Sequence, residues 1–310
     1  VKKYFNEFID INDKSDEEVA MLSRKMDIDI AIDLCGFTNF NRAGIFSHRA
    51  APLQVNFLGY PGTMGSTFID YLIADRIVIP EDQKLNYSEN IAYLPNCYQP
   101  NMAIKNISKT KITRNEEGLP VDAFVFCNFN SNYKITPQIF EVWMNILKNV
   151  SNSVLWLLET NNESSKNIIK EAKKNNISEN RIIFAKHLPN KDHLKRIELA
   201  DIFLDTFPYS AHTTASDFAR VGIPLITLKG ESFASRVASS ILNQVNLNEL
   251  VTKNKNEYQE LAISIGMDNE KLKNLKEKLK GSISDSNLFN SVLYTKHLED
   301  LFINLSKKNK

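Results

Sequence analysis

Downstream of Pro120, short apolar runs alternate with amphipathic stretches. The runs 123–129, 153–158, 181–185, 202–206 and 224–228 have the length and the β-branched or aromatic content of buried strands. Between them, 137–148, 163–174, 191–200 and 214–221 carry apolar residues at helical spacing. This rhythm predicts βαβ units and a parallel sheet. Trp143, Trp156 and the stripe Ile139, Val142, Ile146 fall on its apolar positions and are expected in the core. The tail, about 255–308, reads as mostly helical, with polar turns near Asp268 and over 282–287.

Upstream the pattern is shorter. Residues 1–27 are charged and lean towards helix, 28–34 reads as a strand ending at Gly36, and 52–58 as a second, stopped by Gly59-Tyr60-Pro61-Gly62. Segments 70–75 and 91–94 are further strand candidates. From Cys97 to Pro120 the periodicity lapses into Asn, Lys, Thr and Pro, with Lys105, Lys109, Lys111 and Arg114 in the run. That stretch reads as an interdomain connection, either a solvated basic loop or a flap over a cleft. The expected organisation is an α/β protein of two lobes: residues 1–100 a partial first lobe, 101–120 a linker, and 121–310 a second lobe with C-terminal helices.

Composition narrows the function classes. The 310 residues are 43% hydrophobic and 24% charged, with a formal net charge of +1. This is globular composition, and it gives no bulk electrostatic footprint for nucleic acid or an anionic membrane. No apolar run reaches the length of a membrane span, and the N-terminus lacks a secretory pattern. Cys35, Cys97 and Cys127 are odd in number and far apart, which excludes CxxC readings and points to a reducing, cytoplasmic setting. The chain opens at Val1, as a fragment or processed product would.

Open parallel sheets bind ligands beyond the carboxyl ends of their strands, so the loops after 123–129 and 202–206 hold the candidate chemistry. Lys134 follows the first, in Asn130-Ser131-Asn132-Tyr133-Lys134. A lysine there places a point charge against a diphosphate and favours its departure; the alternative is a surface lysine on a turn. After the second comes His212-Thr213-Thr214-Ala215-Ser216-Asp217, at a predicted helix start where unpaired amides collect. Thr213 or Thr214 can cap that helix, or their amides can hold a phosphate. Asp217 lies on the face of Thr213. It is either a carboxylate favoured near a helix start or an acceptor for two ribose hydroxyls. His212 can donate to a phosphate oxygen or to the leaving group. Asp201 and Asp205 flank Ile202-Phe203-Leu204, which fits paired acid and base groups or a strand end tied to its loops. The loop with Gly59, Gly62 and Gly65 matches neither a dinucleotide fingerprint nor a Walker A motif. Gly230-Glu231-Ser232 opens another helix, with Ser232 as its cap and Arg236 on its first turns. His48, His187, His193 and His297 lack metal-ligand spacing.

Taken in order, Arg49-Ala50-Ala51-Pro52-Leu53-Gln54-Val55, Leu58-Gly59-Tyr60-Pro61-Gly62-Thr63, Asn128-Phe129-Asn130, Tyr133-Lys134-Ile135, Leu204-Asp205-Thr206, His212-Thr213-Thr214, Gly222-Ile223-Pro224 and Ala234-Ser235-Arg236-Val237-Ala238 form a specific set. Over nearly its whole length the chain resembles the catalytic region of the SPINDLY/O-linked N-acetylglucosamine transferase family. The resemblance implies a GT-B fold, two Rossmann-like lobes with a nucleotide sugar between them. It implies inverting transfer of N-acetylglucosamine from its uridine diphosphate donor, UDP-GlcNAc, to serine or threonine of an acceptor protein. By the same likeness Lys134 contacts the diphosphate, Thr213 and Thr214 bind phosphate beside His212, Asp217 binds ribose, and His193 lies near the base. Lys134 and His212 would be the catalytic pair. No metal is expected, since lysine and helix amides carry the diphosphate charge. The family's tetratricopeptide repeats and the start of its first lobe have no counterpart here, so the chain is expected to be part of a longer polypeptide. Ser131, Asn190 and Phe37 depart from the family pattern. A related branch transfers fucose from a guanosine diphosphate donor, and a noncatalytic nucleotide-sugar-binding module is the remaining alternative.

Overall fold

A computed structural model describes residues 2–102 and 111–308 of the chain. Lys105 and Lys109 of the expected linker lie outside the described residues. The chain divides into two compact units, Val1–Gln99 with Thr295–Lys310, and Pro100–Tyr294. The sequence pattern extends the second lobe to residue 310, whereas the final stretch groups with the first unit. The apolar spacing of a helix fixes which face it buries, not which body it joins.

The first unit holds α1 (Asp16–Lys25), β1 (Ile30–Asp33), α2 (Gly44–Ser47), β2 (Leu53–Asn56), β3 (Tyr71–Ala74) and β4 (Asn90–Tyr93). Its strands form one parallel sheet in the order β1-β2-β3-β4. Only part of the charged N-terminal stretch is helical. It starts where Ser15 and Glu18 close a reciprocal capping box. Ala20 of that helix packs with Ile45, Phe46, Ala50, Met64 and Ile69 in one buried cluster. The glycine-rich loop after β2 is held from within: buried Glu89 accepts from the Thr63 hydroxyl at 2.6 Å and the Met64 amide at 2.5 Å. Gly59 is required there, because a Cβ would meet the Leu34 carbonyl oxygen at 2.1 Å.

The second unit contains β5 (Phe124–Asn128), α3 (Pro137–Asn149), β6 (Ser153–Leu158), α4 (Asn162–Lys174), β7 (Ile182–Ala185), α5 (Asn190–Ile197), β8 (Ile202–Leu204), α6 (Thr213–Arg220), β9 (Leu225–Leu228), α7 (Val237–Gln244), β10 (Val251–Thr252), α8 (Lys255–Gly266) and α9 (Asn269–Asp285). Helix α10 (Ser291–Lys308) follows. All five strands expected from 123–228 are present. The two-residue β10 carries too short a pattern to read. Strand β8 stops at Leu204, two residues early: the Asp205 amide still donates to the Ile226 carbonyl of β9 at 3.0 Å, but the side chains of Asp205 and Thr206 are engaged in organising the next loop. Helix α9 runs through Ser282–Asp285, so the expected turn falls later, at Ser286.

The sheet is parallel throughout, in the order β10-β9-β8-β5-β6-β7. The chain runs outward from β5 to β7, then returns to place β8 on the other side of β5. The strand order therefore reverses between β5 and β8, and there the loops beyond the carboxyl ends diverge to leave a crevice. β5 is buried along its length, as a central parallel strand covered on both faces must be. Trp143 and Trp156 are fully buried, and Ile139, Val142 and Ile146 are core. Burying such a large apolar side chain contributes on the order of 2–3 kcal/mol relative to leaving it in water.

Candidate functional site

The site is built from the two loops at the reversal point. Strands β5 and β8 part there and lose ladder partners, and side-chain amides replace them. Asn128 donates to the Leu204 carbonyl at 2.6 Å. Asn130 donates to the Thr206 hydroxyl at 2.8 Å and to the Asp205 carboxylate at 3.3 Å. Asp205 is fully buried and organises the loop after β8. Its carboxylate accepts from the Thr206 amide at 2.7 Å, the Ala211 amide at 2.7 Å and the Thr227 hydroxyl at 2.6 Å. Burial raises its pKa to about 6, against the pull of those donors and of Lys134. Asp201 sits at the opposite end of β8. It accepts from the Val125 amide at 2.8 Å and pairs with Arg114 at 2.9 Å and Lys276 at 3.4 Å. The two aspartates are therefore not an acid–base pair; each ties its own end of the strand.

Arg114 also corrects the reading of the linker around it. Its guanidinium donates to the carbonyls of Val121 and Ala123 at 2.9 Å and Leu199 at 3.1 Å. It anchors its segment to the amino-end rim of the sheet and is neither a solvated loop residue nor part of a flap.

Lys134 ends a short 3-10 turn, Asn132–Lys134, beyond β5. Its ammonium donates to the Ser210 carbonyl at 2.8 Å and lies 4.0 Å from the centre of the Tyr209 ring. Burial lowers its pKa to about 8, with Asp205 opposing. The Tyr209 ring stacks in turn on His212, centroids 5.0 Å apart. His212 places Nε2 3.3 Å from the Ala234 carbonyl. A carbonyl only accepts, so Nε2 carries the proton of the neutral ring and Nδ1 is left as an acceptor. Burial, with Lys134 adding to it, lowers the His212 pKa to about 4.

His212 is also the residue before the first turn of α6, which begins at Thr213. Thr213 and Thr214 are thus the first two helical residues and not its caps. No side chain caps this helix, whereas Thr136, Asn161, Asn254 and Asp268 cap α3, α4, α8 and α9. The amides at the start of α6 are left facing the loop on which Lys134 converges, an arrangement that favours an anion. Asp217 lies in the second turn, beyond the strongest reach of the helix dipole. Burial raises its pKa to about 6, while Arg220 pulls it down. Among the described residues, nothing hydrogen-bonds its carboxylate.

His193, on α5, joins the group through Phe129, whose ring lies 5.3 Å from the imidazole and 5.9 Å from Phe218 of α6. Ser232 caps a 3-10 turn, Phe233–Ser235, and Arg236 donates to the Gly230 carbonyl at 2.8 Å. The backbone after Ser232 supports the site, since the Ala234 carbonyl receives both His212 and the Ser210 hydroxyl, the latter at 2.7 Å. Sequence reasoning missed Tyr209, Asn130 and Ala234 as parts of the site. Nearness in sequence was the available signal for Tyr209, three residues before His212, and for Asn130, in the loop with Lys134; Ala234 is placed only by the fold. Among the described residues, no group of three or more His, Cys, Asp or Glu could hold a metal ion.

A family model described as glycosyl transferase family 41 matches residues 1–107 and 103–298. The chain belongs to this family. It is 36% identical over 299 residues to an Arabidopsis thaliana protein named "Probable UDP-N-acetylglucosamine--peptide N-acetylglucosaminyltransferase SEC", covering 94% of this chain and 30% of that protein. It is 34% identical over 300 residues to the SPINDLY protein of Eustoma exaltatum subsp. russellianum, named as the same kind of transferase, covering 94% of this chain and 32% of that one. Among solved structures, a mutant of the Thermobaculum terrenum O-GlcNAc transferase superposes with a TM-score of 0.91 at 27% identity, over 99% of this chain and 58% of that one. The fold is thus α/β of the GT-B type. The chain spans about a third of the length of these two curated relatives. Among the described residues, no helix is long and apolar enough to cross a membrane.

Proposed function

We propose that this chain is the donor-binding and transfer portion of an inverting glycosyltransferase that moves N-acetylglucosamine from UDP-GlcNAc to serine or threonine hydroxyls of a protein. The observation that carries the reading is the convergence of Lys134, His212 and the uncapped start of α6 at the strand-order reversal. A cation and a row of free amides around one point suit a pyrophosphate. The names of the family relatives supply the nucleotide and the sugar.

In this reading Lys134 leaves the Ser210 carbonyl for the diphosphate and stabilises the charge that grows as the glycosidic bond breaks. Together with the amides of Thr213 and Thr214 it carries that charge without a metal ion. His212 must take up a proton before its Nδ1 can donate to a phosphate oxygen. The incoming anion favours that uptake and neighbouring Lys134 opposes it. Asp217, half-buried and unpartnered, accepts from the ribose hydroxyls. His193 lies on the nucleoside side. The acceptor is a polypeptide, the setting cytoplasmic, and the chain acts within a longer protein that carries tetratricopeptide repeats.

Titration calorimetry with uridine diphosphate and guanosine diphosphate, followed by transfer to candidate peptides, tests this directly. Preferential binding of uridine diphosphate, lost in Lys134→Met, is expected. Preference for the guanosine nucleotide would move the chain to the fucose branch. A folded sample that binds neither would overturn the proposal.

A further inference from the structure

Lys134 and Asp205 meet through a single peptide group. The Lys134 ammonium donates to the carbonyl of Ser210 at 2.8 Å, and the amide of Ala211 donates to Oδ1 of Asp205 at 2.7 Å. That carbonyl and that N–H belong to the same peptide bond, and in a trans peptide they point in opposite directions. A cation therefore sits at the oxygen end of the Ser210–Ala211 peptide and a carboxylate at its hydrogen end. Asp205, Ser210 and Ala211 are all fully buried, so water screens the arrangement little. Each bond polarises the peptide in the sense that strengthens the other.

The rest of the Asp205 environment suits an ionised carboxylate. Oδ1 also accepts from the Thr206 amide at 2.7 Å and the Asn130 side chain at 3.3 Å, and Oδ2 accepts from the Thr227 hydroxyl at 2.6 Å. We infer that Asp205 is a positioning residue that acts as the buried counter-ion of Lys134, holding it as an ammonium through the Ser210–Ala211 peptide until a diphosphate arrives. The use of that ammonium rests on the nucleotide reading above; the coupling of the two charges does not. The other groups around them are uncharged. Burial, with Lys134 adding to it, keeps neighbouring His212 neutral, with a pKa of about 4. Tyr258 of α8 donates to the Asp205 carbonyl at 2.9 Å, and burial pushes its phenol well above the usual range. Thr227 of β9 and Asn130 carry no charge. Burial disfavours both charged forms, and each of the two charges opposes that effect on the other.

Asparagine at 205 separates charge from scaffold. Its carbonyl oxygen can take the three N–H donors of Oδ1, and its NH2 can donate to the Thr227 hydroxyl, which also accepts. The test is a titration of ligand-free protein labelled with 13C-lysine, with the Lys134 signal assigned by its loss in Lys134→Met. Lys134 should titrate near 8 in the wild type. In Asp205→Asn it should titrate about one pH unit lower, a roughly tenfold weaker hold on its proton. Linkage demands the converse: in Lys134→Met, the 13C-labelled Asp205 carboxyl should titrate higher than in the wild type by a similar amount. Should Asp205→Asn not fold, this second titration still decides. An unshifted Lys134 in folded Asp205→Asn, or an unshifted Asp205 in Lys134→Met, would overturn the coupling. For the functional half, uridine diphosphate affinity is followed by calorimetry across the same pH range. Asp205→Asn should stay within about threefold of wild type at the acid end and lose affinity about one pH unit earlier as pH rises. A uniform loss at every pH is what a scaffold alone would give, and would reject the counter-ion role. Failure of the wild-type protein to bind any nucleoside diphosphate, with both titrations as expected, would instead reject the parent reading.

Discussion

Replacing Lys134 by methionine separates function from folding, because the two effects have opposite signs. The folded chain holds the ammonium half-buried, and its pKa falls from 10.5 to about 8. At 1.36 kcal/mol per unit this is a cost of roughly 3 kcal/mol to keeping the charge in the fold at neutral pH. That net cost already includes the bond to the Ser210 carbonyl and the attraction of Asp205. Methionine keeps the length and apolar bulk without the charge, so stability at pH 7 should be unchanged or raised by about 1–3 kcal/mol. The sign can be checked by titration. Between pH 8 and 10.5 the unfolded chain binds a proton that the folded chain has lost, so wild-type stability gains a contribution as pH rises through that window. Lys134→Met should lack this rise. Activity should move the other way. One lost stabiliser of developing charge costs about 3 kcal/mol of barrier, roughly two orders of magnitude in rate. Urea denaturation at pH 7 and pH 9.5, paired with peptide-transfer rates, reads both. Undiminished transfer, or a loss of several kcal/mol in stability, would refute the reasoning.

Four further outcomes follow from the same geometry. Asp217→Ala should weaken uridine diphosphate binding about tenfold by calorimetry while leaving stability at pH 7 unchanged or raised, since the carboxylate caps nothing and burial already disfavours its charge; unchanged affinity would remove it from the site. Asp205→Ala strands two amides and a hydroxyl in the interior and should cost about 3 kcal/mol or more in urea unfolding; a mild effect would mean that the loop before α6 is held by something else. His212 has a folded pKa near 4 against an ordinary 6.5, so its contribution is complete above pH 6.5 and lost as pH falls towards 4. The stability gap between wild type and His212→Gln should therefore shrink across that interval in denaturation curves. Because a bound diphosphate favours protonation of His212 and Lys134, nucleotide binding near pH 8 should take up protons, measured by calorimetry in buffers of different ionisation heat; proton release would contradict the site.

Much of this protein is legible in the order of its residues. The alternation between 123 and 228 specifies the sheet class and places Lys134 and His212 beyond carboxyl strand ends, because burial on both faces forces uninterrupted apolar runs and helical spacing is local. What the residues of 205–212 do is not legible there. Asp205 looks like a strand residue, yet its carboxylate gathers amides from its own loop. Thr213 and Thr214 look like caps, and prove to be the first helical residues because His212 occupies the position before them. The basic stretch containing Arg114 looks solvated, yet its guanidinium is spent on carbonyls and Asp201.

The sequence by itself determined which elements form and which loops carry charge and hydroxyl groups, since both follow from periodicity over a few residues. Only the tertiary structure decided that β8 returns beside β5, so that Lys134 meets a carbonyl 76 positions away. Strand order is set by packing between distant segments, and no local pattern encodes it. The same holds for the pKa values of Lys134, His193, His212 and Asp217, which depend on how much water the assembled fold excludes.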